Sequence, residues 1–392
     1  MAQTKKLNIG VFIDVYYPMI DGVLKVLETH VHHLKDRFNI HLIVPSAGKN
    51  YVYPELGEKT LYPIRSVKIF FLDYRLSLPR LDRGLLNHLN NLNLDLIIVH
   101  SPFAIGEYGL RWAKKYNVPA LMYAHTQLKA EILGITRSRV LTAIIFQNVI
   151  RVYQLATNVI AVGEGVAHIY EHDYKLGYAP LVINNATDLR LLQNKRLALR
   201  IKKNHGITDQ FVFSFLGRMH KLKNIYFTAD ALKIVKEHGI NFKMFFIGDG
   251  THLKDFKKYV TKIGLADNVI FLGKLKEREL IAAYLHISHL FLFPSLNDTN
   301  SLVQKEAASQ KTPSLFIEGA TTAFGFTEGI HCFFAPNDRQ AYARKIIELV
   351  EHPTKLRDIR ESVYKNVYRT WEESIEQLYA LINDEVAKNK QK

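Results

Sequence analysis

Two carboxylates, Asp298 and Glu306, stand with seven residues between them in the stretch Phe293-Pro294-Ser295-Leu296-Asn297-Asp298-Thr299-Asn300-Ser301-Leu302-Val303-Gln304-Lys305-Glu306. The apolar run His289-Leu290-Phe291-Leu292-Phe293 ahead of them suits a buried parallel strand that stops at Pro294. Helix-compatible sequence resumes at Leu302, so the pair straddles a strand-to-helix turn. Parallel α/β sheets bind ligands at such turns, beyond the carboxyl ends of their strands. The backbone N–H groups of Asn300, Ser301 and Leu302 would open the next helix and suit a phosphate. A phosphate cradle beside two hydroxyl acceptors is what holding a nucleotide sugar requires.

A second constellation leaves an earlier strand, in Phe215-Leu216-Gly217-Arg218 followed by Lys223-Asn224. Arg218 and Lys223 fall at the start of a helical segment, where the helix dipole also favours a pyrophosphate. Arg brings a planar fork and Lys a mobile point charge, a sensible pair for phosphate oxygens. Taken alone, the same two residues are better described as an exposed basic turn; the Asp298–Glu306 loop is what favours the phosphate reading. Gly22 allows close backbone approach in the loop after the first strand, although a simple turn explains a lone glycine as well. His100-Ser101 follows the strand-like Leu94–Val99 and is an expected acceptor-side contact.

These residues need two sheets to position them. Strand-like segments run Ile9–Ile13, Ile40–Val44, Leu94–Val99, Ala120–Tyr123 and Val159–Val162, with helical patterns at Gly22–Arg37 and Gly106–Tyr116. The same alternation restarts with strands at Phe211–Leu216, Lys243–Ile247, Val269–Phe271, Leu290–Phe293 and Pro313–Ile317. Helices are expected there at Ile225–His238, Leu253–Ile263, Glu277–Leu285, Leu302–Ser309 and Asp338–Glu351. The alternation predicts two doubly wound parallel sheets, each flanked by helices. Residues 191–205, rich in Lys and Arg, read as the linker. The predicted domains are 1–190 and 191–370, with the final helix from Trp371 packing back on another surface.

At 392 residues, 48% hydrophobic and 23% charged, the chain has the length for two domains and the composition of ordinary globular ones. Its single cysteine, Cys332, rules out an internal disulfide and fits a reducing compartment. Met1–Lys6 leads straight into a strand, unlike a signal peptide, and no run reaches bilayer-spanning length. The net charge of +15 suits an anionic substrate or membrane face. With no zinc-finger spacing and no RNA-binding aromatic motif, nucleic acid is not an expected partner.

The chain resembles family 4 retaining glycosyltransferases over nearly its whole length, and the two-sheet plan resembles their GT-B fold. That fold faces two Rossmann-like domains across a cleft and returns the last helix to the N-terminal domain. The resemblance rests on Asp298 and Glu306, where relatives usually carry two Glu, on Gly217-Arg218 with Lys223-Asn224, and on Ile247-Gly248-Asp249-Gly250. Phe271-Leu272-Gly273, Tyr16-Tyr17-Pro18 through Gly22, and His125-Thr126 extend it. It implies that Glu306 accepts hydrogen bonds from the nucleotide ribose, with Asp298 near the donor sugar. It also implies that Arg218 and Lys223 neutralise the diphosphate leaving group and that His125 lies at the reaction centre. Gly22, Gly217, Gly248, Gly273, Asn300, Ser301 and Leu302 would complete the donor site.

The implied reaction moves a hexose, from UDP-glucose or UDP-galactose, to a hydroxyl of a membrane lipid such as diacylglycerol or of a cell-envelope glycan. It would use no cofactor and no metal, in the cytoplasm, peripherally at the inner face of the membrane. A helix over 135–156, with Arg137, Arg139 and Arg151 around an apolar core, would rest on an anionic leaflet or line the acceptor cleft. The chain departs from the family in Asn184-Asn185-Ala186-Thr187-Asp188, at Phe324, and at Cys332. Those departures keep a second reading in view: a non-catalytic GT-B partner that binds sugar beside another transferase.

Overall fold

The computed structural model describes residues 5–19, 22–68, 75–296, 298–299 and 301–391. It divides into two compact units, one of residues 1–184 with 371–392 and the other of 185–370.

The first unit is built on a seven-stranded sheet, in spatial order Thr60–Ile64, Asn39–Pro45, Asn8–Phe12, Leu96–Val99, Ala120–Ala124, Asn158–Ala161, Leu181–Val182. Every neighbouring pair is parallel. Leu96–Val99 and Ala120–Ala124 are buried at every position, as expected of central strands covered on both faces. Helix Gly22–Leu34 turns Leu24, Leu27, Val31 and Leu34 inward at helical spacing. The last helix, Trp371–Lys390, belongs to this unit and sinks Trp371, Ile375, Leu378, Ile382 and Val386 into its core. Burial of each such side chain contributes about 1.5–3 kcal/mol, so this helix is a structural part of the unit. Phe38 stacked on Tyr379 at 5.3 Å and an Arg37–Glu376 ion pair fix its outer face.

The second unit carries six parallel strands in the order Val269–Gly273, Phe242–Ile247, Phe211–Leu216, Leu290–Phe293, Ser314–Ile317, Phe333–Ala335. The chain enters and leaves it side by side. Thr187 pairs with Thr370, and the Thr187 N–H donates to the Arg369 carbonyl at 3.1 Å.

The structure corrects three expectations. The units part after Asn184 instead of after residue 190, because Thr187, Leu189 and Leu192 already belong to the second unit's interior and strand-end network. The expected linker over 191–205 contains a helix, Lys195–Asn204, capped by the Asn194 side chain, with Leu197, Ala198 and Ile201 buried. Its five basic residues occupy the outer face and masked that apolar stripe. The helix expected over 135–156 is two helices, Leu128–Thr136 and Arg139–Tyr153. Arg137 breaks them at φ +52° and the Ser138 hydroxyl caps the second, accepting from the Leu141 N–H. Thr60–Ile64, Leu181–Val182 and Phe333–Ala335 add edge strands with no strong sequence signal.

Candidate functional site

In the second unit, three adjacent strands end on glycines: Gly217, Gly248 and Gly273. The Gly217 N–H donates to the Ile247 carbonyl at 2.9 Å and the Gly248 N–H to the Gly273 carbonyl at 2.8 Å. Gly248 has φ +136°, and a Cβ there would lie 2.0 Å from the Gly217 carbonyl oxygen. A Cβ on Gly250 would stand 2.6 Å from the Met219 carbonyl oxygen. The strand ends therefore meet backbone against backbone, which only glycine permits.

Out of this edge come Arg218, exposed, and Lys223, half-buried. Asn224, at φ +54°, turns the chain into helix Ile225–Glu237 and donates through Nδ2 to the Pro294 carbonyl at 2.8 Å. That bond ties the basic turn to the loop after Leu290–Phe293. In the same loop the Lys223 ammonium pairs with Asp298 Oδ1, while Asp298 Oδ2 is buried without a partner. His220 also faces this turn, and its imidazole pKa is lowered by burial and then by His252, Arg218, Lys223 and Lys221. The turn is a concentrated positive patch, suited to phosphate oxygens.

Helix Leu302–Ser309 opens at Ser301 with no side-chain cap, so its first N–H groups have no intrahelical acceptor. Asn300, expected at the donor site, lies outside the described residues. Glu306 is buried, and its Oε1 accepts from Arg278 Nη1 at 2.7 Å. Arg278 also donates through Nη2 to the Thr187 hydroxyl at 3.2 Å and pairs with Asp188. Burial pushes the Glu306 carboxyl up, while Arg278 pulls it down. Lys305 is buried beside it, with Nζ 5.4 Å from the centre of the Phe326 ring.

In the first unit, His125 follows Ala120–Ala124 and is buried. Its Nε2 lies 2.9 Å from His100 Nδ1, and both rings stack on Tyr123 at 5.1 and 5.0 Å. Burial lowers the His125 pKa to about 3 and that of His100 well below its usual value, so both rings are neutral at physiological pH. His30 packs on Tyr123 and on Trp371 of the last helix. Ser101, expected at the acceptor, is instead structural. Its hydroxyl donates to Asp14 Oδ2 at 2.7 Å and accepts from the Asp14 N–H at 2.8 Å. The Asp14 carboxylate also accepts the Ile105 and Gly106 N–H groups at 2.7 and 3.2 Å and so caps helix Ala104–Lys115. Gly22 opens its helix in the open, with nothing within 4 Å of where a Cβ would be. Packing within the protein does not demand a glycine there.

Of the expected residues, the structure thus joins Lys223 to Asp298 and ranges Gly217, Gly248 and Gly273 along one sheet edge. It buries Glu306 and His125 in separate units. Arg278, Asp188 and Gly250 are additions. Gly250 was visible in its Gly-Asp-Gly context, whereas Arg278 sits in an ordinary charged stretch with no signal to distinguish it.

Known proteins give this geometry a family. The profile described as Glycosyltransferase Family 4 matches residues 20–191, and that of Glycosyl transferases group 1 matches residues 199–366. The alpha-monoglucosyldiacylglycerol synthase of Acholeplasma laidlawii is 23% identical over 95% of this chain and 95% of its own. The synthase of the same name from Streptococcus pneumoniae is 23% identical over 78% of this chain and 70% of its own. Among solved structures, Anabaena Alr3699/HepE in complex with UDP superposes with a TM-score of 0.75 at 15% identity, covering 97% of this chain and all of that one. WaaG, a glycosyltransferase involved in lipopolysaccharide biosynthesis, superposes with a TM-score of 0.67 at 13% identity, over 94% and 99%. Two matching profiles, relatives along the whole length and two parallel-sheet α/β units together make this chain a family 4 glycosyltransferase of the GT-B fold, an enzyme that uses a nucleotide sugar.

Proposed function

We propose that the enzyme transfers a hexose, with retention, from UDP-glucose or UDP-galactose to a hydroxyl of a membrane lipid such as diacylglycerol. The observation that carries the donor half is the tied pair of loops in the second unit. Asn224 and Pro294 clamp Lys223 and Asp298 together beside Arg218, at the glycine-lined ends of the strands. Loss of the nucleoside diphosphate concentrates negative charge on the leaving oxygens. Arg218 and Lys223 supply preorganised positive charge for it, worth most where water is excluded. The reaction then needs no bound metal. Glu306 accepts the ribose hydroxyls, Asp298 lies by the sugar, and the neutral His125 hydrogen-bonds at the reaction centre.

The acceptor half rests on the relatives named as glucosyldiacylglycerol synthases and on one surface of the first unit. Helices Leu128–Thr136 and Arg139–Tyr153 expose Ile135, Val140, Leu141 and Ile144, with Val140 73% accessible, beside Arg137 and Arg139. Apolar side chains rimmed by cations suit an anionic leaflet. The contact proposed is peripheral; among the described residues no helix is long and apolar enough to cross a membrane. A cell-envelope glycan is the second acceptor class, and the experiment separates the two. The purified protein is given UDP-glucose, UDP-galactose, UDP-N-acetylglucosamine or GDP-mannose, with anionic vesicles containing diacylglycerol and with EDTA present. An α-hexosyl lipid from a UDP-hexose is expected. No lipid product from any donor, or full turnover by Glu306→Gln, overturns the reading.

A further inference from the structure

Arg278 is the first residue of helix Arg278–Ile287, five positions after the strand that ends at Gly273. Its guanidinium collects acceptors from two distant stretches of the second unit: Glu306 on one side, Thr187 and Asp188 on the other. Glu306 is 7% exposed, and among the described residues no other side chain bonds its carboxylate. Because Thr187 and Asp188 hold the guanidinium at its other nitrogen, the single charge-assisted bond from Nη1 sets where the buried carboxylate points. Only Oε1 is engaged, which leaves the second oxygen as an acceptor.

We propose that Arg278 is a positioning residue of the donor site: anchored on Thr187 and Asp188, it holds Glu306 through one oxygen so that the other accepts a ribose hydroxyl. This rests on the assignment of Glu306 to the ribose. The charges around Glu306 support it. Burial and, more weakly, Asp188 push its carboxyl towards protonation, and Arg278 is the group that opposes them. Without that guanidinium the carboxyl takes up a proton more readily. A protonated carboxyl brings a donor of its own that must be satisfied and offers less acceptor capacity to the ribose. Arg278 therefore acts on the nucleotide without touching the sugar being transferred.

The test is discrimination between UDP and 2′-deoxy-UDP, titrated calorimetrically from pH 5.5 to 8. A hydroxyl bonded to a charged acceptor gives a preference for UDP of about ten- to a hundredfold. Arg278→Gln is expected to bring that ratio close to one, most completely at the acid end, while Arg278→Lys, which keeps the charge, recovers part of it. Thermal melts of both variants establish that they fold. An Arg278→Gln protein with the wild-type ratio at every pH overturns the proposal, as does one that weakens both nucleotides equally, the signature of a merely structural role. Glu306→Gln tells the two failures apart. If it too keeps the wild-type ratio, the ribose assignment falls and the proposal with it; if it loses the ratio while Arg278→Gln does not, the proposal alone falls.

Discussion

Lys305 gives the sharpest quantitative expectation. It is 4% exposed within helix Leu302–Ser309, faces the Phe326 ring, and has no carboxylate in salt-bridge range among the described residues. Burial, with Arg369 as a second cause, lowers its pKa from 10.5 to about 7. In the unfolded chain the same ammonium is fully hydrated. At about 1.4 kcal/mol per pH unit, the shift corresponds to a destabilisation of roughly 5 kcal/mol. Its sign follows from proton counts. Between about pH 7 and 10.5 the unfolded chain binds more protons than the folded one, so stability rises with pH across that window. The penalty is full below about pH 7 and gone above 10.5.

Replacing Lys305 with Met, of similar length and no charge, removes it. Loss of the contact with Phe326 returns about 0.5–2 kcal/mol, and imperfect repacking up to about 1.5 kcal/mol. The net gain at pH 7 is then roughly 2–4 kcal/mol, on the order of 10 °C in the melting transition of a unit of this size. Denaturant titrations of both proteins at pH 6.5, 8 and 9.5 measure it. The gain must shrink by about 1.4 kcal/mol per unit as pH rises through the window. A gain independent of pH, or a loss at pH 7, refutes the placement of a buried ammonium at this position.

Two further expectations concern Gly248 in the second unit and His125 in the first. Gly248→Ala places a methyl 2.0 Å from the Gly217 carbonyl oxygen at a backbone φ of +136°. It should cost about 3 kcal/mol or more and abolish UDP binding. Gly264→Ala, at φ +78° with nothing within 4 Å, serves as the control and should cost only about 1 kcal/mol; equal melting points for the two variants would contradict the steric account. Because the His125 pKa sits near 3, kcat should show no acid limb between pH 5 and 8 from this group. A limb near pH 6.5 that disappears in His125→Gln would contradict a neutral ring.

The parts of this molecule legible in the sequence were those with local causes. Apolar runs such as Leu290–Phe293 and Phe211–Leu216, the second interrupted only by Ser214, have no other home than the centre of a parallel sheet, and the structure places them there with the same ends. Asp298 and Lys223 were recognisable because strand-end loops are constrained in length and type. That they would pair with each other was not, since their contact depends on how two loops 75 residues apart meet. Arg278 was invisible for the same reason: its role exists only once Thr187, Asp188 and Glu306 are folded around it. The segment 191–205 failed differently. Charge dominated its composition, while the three residues that decided its structure, Leu197, Ala198 and Ile201, were a minority.

The side-by-side entry and exit of the second unit has a consequence for how the chain is made. Residues 185–370 form an uninterrupted stretch whose ends are already stitched at Thr187 and Thr370. Domains fold as units as they leave the ribosome, in the order of synthesis. Here the order is inverted. The unit that starts first waits for Trp371, Ile375, Leu378 and Ile382, which come last, while the inserted one is complete before it. A nascent chain whose residue 370 has just left the ribosome would carry a finished second unit attached to an unfinished first one. Truncation of the last twenty residues would then strike the half of the enzyme translated first.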